Sequence, residues 1–222
     1  MNWPEECAAI VPCFNEAADV GAVVKAVHTY LPTVLVVDDG SEDPTGTAAV
    51  GAGARVLRHS ENQGKGAALK TGFQEAMRLG FSWALMLDGD GQHAASDIPL
   101  FWYAVELKQA LLVVGNRMSN SASIPTVRRY VNHWMSRKLS QRAGLDFPDS
   151  QCGFRLLHLP TLASLTLQTL HFEIESEMLL AFAQTGQRIE FVPIQMLNKK
   201  RPSKIHPIVD TWRWFKWWSS KP

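Results

Sequence analysis

Trp83-Ala84-Leu85-Met86-Leu87-Asp88-Gly89-Asp90-Gly91-Gln92-His93 decides the reading of this chain: five apolar residues run without a break into a turn of carboxylates, amide and imidazole. A short continuous apolar run fits a strand buried on both faces, as in parallel sheets. A strand that then ends in polar ligands is no longer building core. Similar runs occur at Ala8-Ala9-Ile10-Val11-Pro12, Val34-Leu35-Val36-Val37, Ala54-Arg55-Val56-Leu57 and Leu111-Leu112-Val113-Val114. Helical spacing lies between them, as in Val20, Val23, Val24 and Val27 after a candidate N-cap at Asn15, and Ala68, Phe73 and Met77 after Gly66. This alternation predicts an α/β chain with a mainly parallel sheet and helices on both faces. Ligands of such sheets bind beyond the carboxyl ends of the strands.

The second half opens with a cationic helix. Val127, Tyr130, Val131, Trp134, Met135 and Leu139 form its apolar stripe, which Arg128, Arg129, Asn132 and Arg137 avoid. A segment Cys152 to Leu157, a helix near Glu173 to Gln184 and a strand Ile189 to Pro193 follow. No repeat or linker marks a second domain, so residues 1–206 read as one domain and 207–222 as a basic, Trp-rich tail.

Composition agrees. The chain has 222 residues, 46% hydrophobic and 19% charged, enough for one core that buries roughly 70% of the unfolded surface. Cys7, Cys13 and Cys152 lack disulfide or zinc spacing and read as reduced, buried thiols. No apolar run approaches a spanning helix, and Asn2-Trp3-Pro4-Glu5-Glu6 is unlike a signal peptide. The net charge of +1 hides an asymmetry. From Lys199 onward seven Lys/Arg face one acid, Asp210, and Leu107 to Leu145 carries seven basic residues and no acid. Two segments are therefore suited to anionic partners, and nucleic acid is not expected among them.

Three turns after strands carry candidate chemistry. Asp38-Asp39-Gly40-Ser41-Glu42-Asp43-Pro44-Thr45 places carboxylates where a base and ribose can be hydrogen-bonded, although such residues also favour plain turns. Asn62-Gln63-Gly64-Lys65-Gly66 has the ingredients of an anion nest without P-loop spacing; a tight turn with a solvated lysine is the other reading. Asp88 and Asp90, one residue apart, suit Mg²⁺ or Mn²⁺, which combine one or two carboxylates with phosphate oxygens and water. His93 reads as a loop histidine.

Taken in order, Pro12-Cys13-Phe14-Asn15-Glu16, Val37 to Thr45, Asn62 to Ala68, Asp88 to Gln92, Gly115-Asn116-Arg117, Gln151-Cys152-Gly153-Phe154-Arg155 and Val192-Pro193-Ile194 resemble the family 2 glycosyltransferases. Within them the pattern looks most like the dolichyl- or polyprenyl-phosphate mannose and glucose synthases, over about residues 8 to 206. The resemblance implies a GT-A fold and inverting transfer of a hexose from a nucleotide diphosphate sugar of GDP-mannose or UDP-glucose type. By matching motif, Pro12, Phe14, Glu16 and Asp39 would meet the nucleoside, and Asp88, Asp90 and Gln92 would hold Mg²⁺ or Mn²⁺ on the diphosphate. Phe14 stands where the family more often has Tyr. Arg117 would face the acceptor phosphate or the departing diphosphate, Arg128 and Asn132 the acceptor phosphate, and Arg201 with Lys204 a basic loop closing over the diphosphate.

A lipid phosphate acceptor is already ionised near neutral pH and needs alignment rather than a base. A hydroxyl of another lipid or glycan would need one, and Asp149 is then the candidate. A non-catalytic lipid-phosphate-binding relative is a further alternative. In the tail, Trp212, Trp214, Phe215, Trp217 and Trp218 alternate with Arg213, Lys216 and Lys221. That is the composition of a membrane-interface anchor, or else of a helix docking its aromatics into the domain. The anchor reading places the protein peripherally on the cytoplasmic face of a membrane.

Overall fold

The computed structural model describes residues 1–118, 126–197 and 207–219. Arg201 and Lys204 therefore lie outside the described residues. In chain order come α1 (Trp3–Glu6), β1 (Cys7–Cys13), α2 (Val20–His28), β2 (Val34–Asp38), α3 (Thr45–Gly51), β3 (Arg55–Arg58), α4 (Lys65–Arg78) and β4 (Trp83–Met86). Then follow α5 (Ile98–Lys108), β5 (Leu112–Asn116), α6 (Thr126–Ala143), β6 (Arg155–His158), α7 (Leu159–Ala163), α8 (Ile174–Gln184), β7 (Ile189–Pro193) and α9 (Pro207–Ser219).

The strands form one sheet in the order β3-β2-β1-β4-β6-β5-β7. All pairings are parallel except those of β6, which runs antiparallel to both β4 and β5. The apolar runs of β1, β2, β4 and β5 are buried, as expected of strands covered on both faces. β3, at one edge, is short and ends in Arg55 and Arg58, which discourages further strand pairing. α2 and α3, which connect β1 to β2 and β2 to β3, pack against each other, as the usual right-handed crossovers place them on one face. The return from β3 to β4 puts α4 on the other. Gly72 of α4 seats that helix tightly, because a Cβ there would lie 2.5 Å from Ile10 Cγ2.

Two local expectations fail. Asn15 does not cap α2, which begins at Val20 after Asp19. Its φ of 54° instead turns the chain, and its side-chain Oδ1 accepts the Glu42 N–H at 2.8 Å. The apolar stripe of α6 is only half buried. Met135 and Leu139 face inward with Asn132 and Ser136, while Val127 and Tyr130 are 78% and 74% exposed. In the tail, read as an anchor or as a docked helix, Trp214 and Trp217 of α9 pack into the common core.

Candidate active site

In this strand order β1 has β2 on one side and β4 on the other, so the chain reverses direction at the β1/β4 boundary. A cleft of about 740 Å³ opens there, beyond the carboxyl ends of the strands. Pro12, Phe14, Glu16 and Asp39 line one part, Lys65, Asp88, Asp90 and Gln92 another, and Arg117 and Arg128 a third.

The loop after β1 is held by the acid-rich turn after β2. The Asn15 N–H donates to Ser41 Oγ at 2.9 Å, Glu16 N–H to Thr45 Oγ1 at 2.7 Å and Ala17 N–H to Asp43 Oδ2 at 3.1 Å. Asp38 serves this scaffold rather than the cleft. It is fully buried, accepts the Ser41 N–H at 3.0 Å and faces Arg58 at 3.2 Å, so its expected ligand contact is not seen. Asp39 does reach the cleft. It also fixes the next turn by accepting N–H bonds from Gln63 at 3.0 Å and Gly64 at 2.8 Å, and it accepts His59 Nδ1–H at 2.7 Å. Gly64, with φ 99°, lets this turn enter α4.

Lys65, in the first turn of α4, lines the cleft but is not a solvated lysine, being paired with two carboxylates. Its ammonium lies 2.6 Å from Asp88 Oδ1 and 2.6 Å from Glu175 Oε1 on α8. Burial disfavours the Asp88 anion, but the nearby Lys65 and His93 outweigh it and hold its pKa below the usual carboxylate range. Asp90 goes the other way. Burial first, then the Asp88 and Glu16 charges, raise it to about 6.

A divalent ion fits this imbalance, because it would relieve the repulsion that raises Asp90. No three His, Cys, Asp or Glu side chains among the described residues converge to hold a metal alone. Two carboxylates with Gln92 nearby would share the ion with phosphate oxygens, as Mg²⁺ prefers. An ion held by Asp90 would need that carboxylate ionised, so Mn²⁺ affinity is expected to fall as pH drops through about 6, approaching tenfold per unit below it. Mn²⁺ titration by electron paramagnetic resonance across that range checks this; an affinity unchanged between about pH 5 and pH 7 would contradict it.

His93 lies in the loop after β4, as read, but it is buried there and supports the turn. Its ring is buried against Phe154, its Nδ1 accepts the Asp88 N–H at 3.4 Å, and burial lowers its pKa to about 4, so it stays neutral. All three cysteines are free and buried. Burial pushes the Cys152 thiol up to about 12.

Asp149 does not sit free to take a proton. It is fully buried and grips Arg117 twice, from Nε and Nη2 at 2.8 Å each, while accepting the Arg117 N–H at 3.0 Å. Burial works against both charges, but the pairing holds the carboxyl below its usual pKa and the guanidinium above. The expectation of a catalytic base here gives way to an anchor for Arg117. Arg128, at the start of α6, lines the cleft half-buried, its pKa lowered by burial and by Arg117. Asn132, one turn on, is buried in α6 and does not reach the cleft lining.

Several lining residues escaped sequence reading. Glu175 is one: an acid in the first turn of a helix ordinarily complements the helix dipole in solvent, yet here it is 4% exposed. Gln151 lines the cleft and donates to Ser176 Oγ at 2.8 Å, which Trp214 Nε1 of α9 also meets at 2.9 Å. Through that dock α9 presents Asp210 and Arg213, paired at 3.3 Å, to the cleft. Arg155, fully buried, donates to the carbonyls of Cys152, Glu175 and Ser150 and so ties this wall together.

Comparison with known proteins follows the same lines. Residues 8–162 match the family described as Glycosyl transferase family 2. The undecaprenyl-phosphate mannosyltransferase of Micrococcus luteus is 28% identical over 204 residues, covering 86% of this chain and 83% of that protein. The UDP-N-acetylglucosamine--dolichyl-phosphate N-acetylglucosaminyltransferase of Methanococcus voltae is 28% identical over 212 residues, covering 85% and 84%. Among solved structures, glucosyl-3-phosphoglycerate synthase from Mycobacterium tuberculosis, in complex with Mn²⁺, UDP and phosphoglyceric acid, superimposes with a TM-score of 0.71 at 17% identity, over 96% of this chain and 75% of that one. This likeness is one of fold.

Proposed function

We propose that this chain, which belongs to glycosyltransferase family 2, moves a hexose from a nucleotide diphosphate sugar to the phosphate of a polyprenyl lipid, inverting the anomeric carbon. The observation that carries the reading is the state of the carboxylates at the cationic end of the cleft. Asp149 is paired with Arg117 and Asp210 with Arg213, so an acceptor that must first lose a proton is poorly served. A phosphate acceptor arrives ionised. The names of the mannosyl and N-acetylglucosaminyl relatives, which include undecaprenyl and dolichyl phosphate, support the same acceptor class.

In this mechanism Phe14, Glu16 and Asp39 hold the nucleoside. Mg²⁺ or Mn²⁺, held by Asp88 and Asp90 with Gln92 alongside, would neutralise charge growing on the leaving diphosphate. Arg117, aimed by Asp149, and Arg128 align the acceptor phosphate. A phosphate oxygen attacks the anomeric carbon, the bond to the diphosphate breaks with its electron pair, and no proton need move. Incubation with a panel of nucleotide sugars, undecaprenyl phosphate and Mn²⁺ should release nucleotide and yield a lipid-linked sugar, with rates nearly flat from about pH 6.5 to 8.5. Transfer only to hydroxyl acceptors would overturn the reading.

The reading extends to the cytoplasmic face of a membrane. No helix among the described residues is long and apolar enough to cross one. Of the tail aromatics, Trp214 and Trp217 are buried, but Trp212 and Phe215 are 63% and 54% exposed, on the helix that carries Arg213 into the cleft. The anchor and docking alternatives therefore divide by residue. The double substitution Trp212→Ala, Phe215→Ala is expected to weaken flotation with anionic vesicles by about tenfold or more, given ~1.5–3 kcal/mol per fully buried aromatic. Tm should barely move, since neither side chain is in the core. Undiminished flotation would remove the membrane role of α9.

A further inference from the structure

We infer that Lys65 is a resident counter-ion for the carboxylate pair: its ammonium holds the divalent ion's place on Asp88, and Glu175 receives it when Asp88 is given up to the metal. The inference rests on Asp88 being a metal ligand, as proposed above. The Lys65 ammonium is equally close to both oxygens, 2.6 Å from each, and its side chain is only 12% exposed. The Phe172 ring covers it at 5.7 Å. Space around it is closed as well. A Cβ on Gly153 would stand 2.8 Å from Asp88 Oδ2 and 2.9 Å from the Lys65 ammonium, so the backbone packs directly on the ion pair.

A divalent ion placed on Asp88 meets this cation at contact distance. Metal alone must therefore displace Lys65 against charge repulsion, and only Glu175 then balances the buried ammonium. An incoming diphosphate adds the negative charge that both cations need. Metal and nucleotide should accordingly bind cooperatively, each tightening the other by the same factor. Glu175 acts here through Lys65 and is a positioning residue.

The test reads binding, with neither sugar nor acceptor present. Mn²⁺ is titrated by electron paramagnetic resonance into the whole protein, alone and with UDP or GDP as probe nucleotide. In wild type the nucleotide should tighten Mn²⁺ by roughly 10- to 100-fold. Lys65→Met should tighten Mn²⁺ alone by about tenfold and shrink that coupling. Glu175→Gln, which leaves Lys65 to Asp88, should weaken Mn²⁺ alone several-fold, and this effect should vanish in the Lys65→Met background. Unchanged Mn²⁺ affinity in Lys65→Met, or strictly additive effects in the double variant, overturns the counter-ion role. Should Lys65→Met fail to fold, the ¹⁵N side-chain ammonium resonance of wild-type Lys65 decides. It should shift on adding Mg²⁺ with nucleotide, and a resonance that does not respond refutes the displacement. Sugar transfer to polyprenyl phosphate with unaltered Mn²⁺ binding in the variant would leave the function standing and remove only Lys65 from this role.

Discussion

Asp90→Asn is expected to lower kcat/KM for sugar transfer by about 10²- to 10³-fold while leaving the fold intact. Asp90 is raised to about 6 by burial and by neighbouring anions, so its charge is a local cost of the metal-free protein. Removing that charge costs the fold nothing, and Tm should hold or rise slightly. The loss falls on the reaction, because a metal held by Asp90, as proposed, would stabilise the departing diphosphate more than the bound donor. Placed electrostatic contacts of this kind are worth about 3–4 kcal/mol each in the transition state. Steady-state kinetics with Mn²⁺, paired with thermal unfolding, separates the two effects. Near-normal transfer by the variant would refute the metal role of Asp90.

Asp149→Asn is expected to damage both stability and activity. The substitution leaves the Arg117 guanidinium, 6% exposed, without the carboxylate that neutralises it. Breaking a buried ion pair from one side costs about 3–5 kcal/mol. For a chain of this size that lowers Tm by roughly 6–20 °C. Activity should fall about 10²-fold or more as Arg117 loses its aim. A general base would behave otherwise, losing turnover at unchanged Tm. In addition, Arg117→Met combined with Asp149→Asn should be no less active than the worse single variant, since the two act as a unit. The pairing depresses the Asp149 pKa, so its contribution to stability is complete above the ordinary Asp range near pH 4 and is lost as acid titrates the folded carboxyl. Clearly additive losses in the double variant would argue that Asp149 has a role of its own.

These expectations show how differently the parts of the site were legible. The carboxylate turn at Asp88 and Asp90 could be read because an apolar run that stops in ligands is a contiguous signal. Asp39 and Asp38 are adjacent and looked equivalent. They point apart, one toward the cleft and one into the scaffold, because successive residues at a strand end face opposite ways. Asp149 resembled a base, since nothing in its own neighbourhood reveals Arg117 thirty-two residues earlier. Glu175 looked like an ordinary helix start, because only the fold sets Lys65 of α4 against it.

The linear order of residues determined the alternating strands and helices, the parallel core of the sheet and the crevice where polar turns gather, since periodicity and turn chemistry act over a few neighbours. Only the tertiary structure decided the reversed direction of β6, the burial of Lys65 between two acids, the capture of Asp149 by Arg117 and the division of the α9 aromatics between core and surface. Those depend on which faces meet across the fold, and burial sets the sign and strength of every charge so placed.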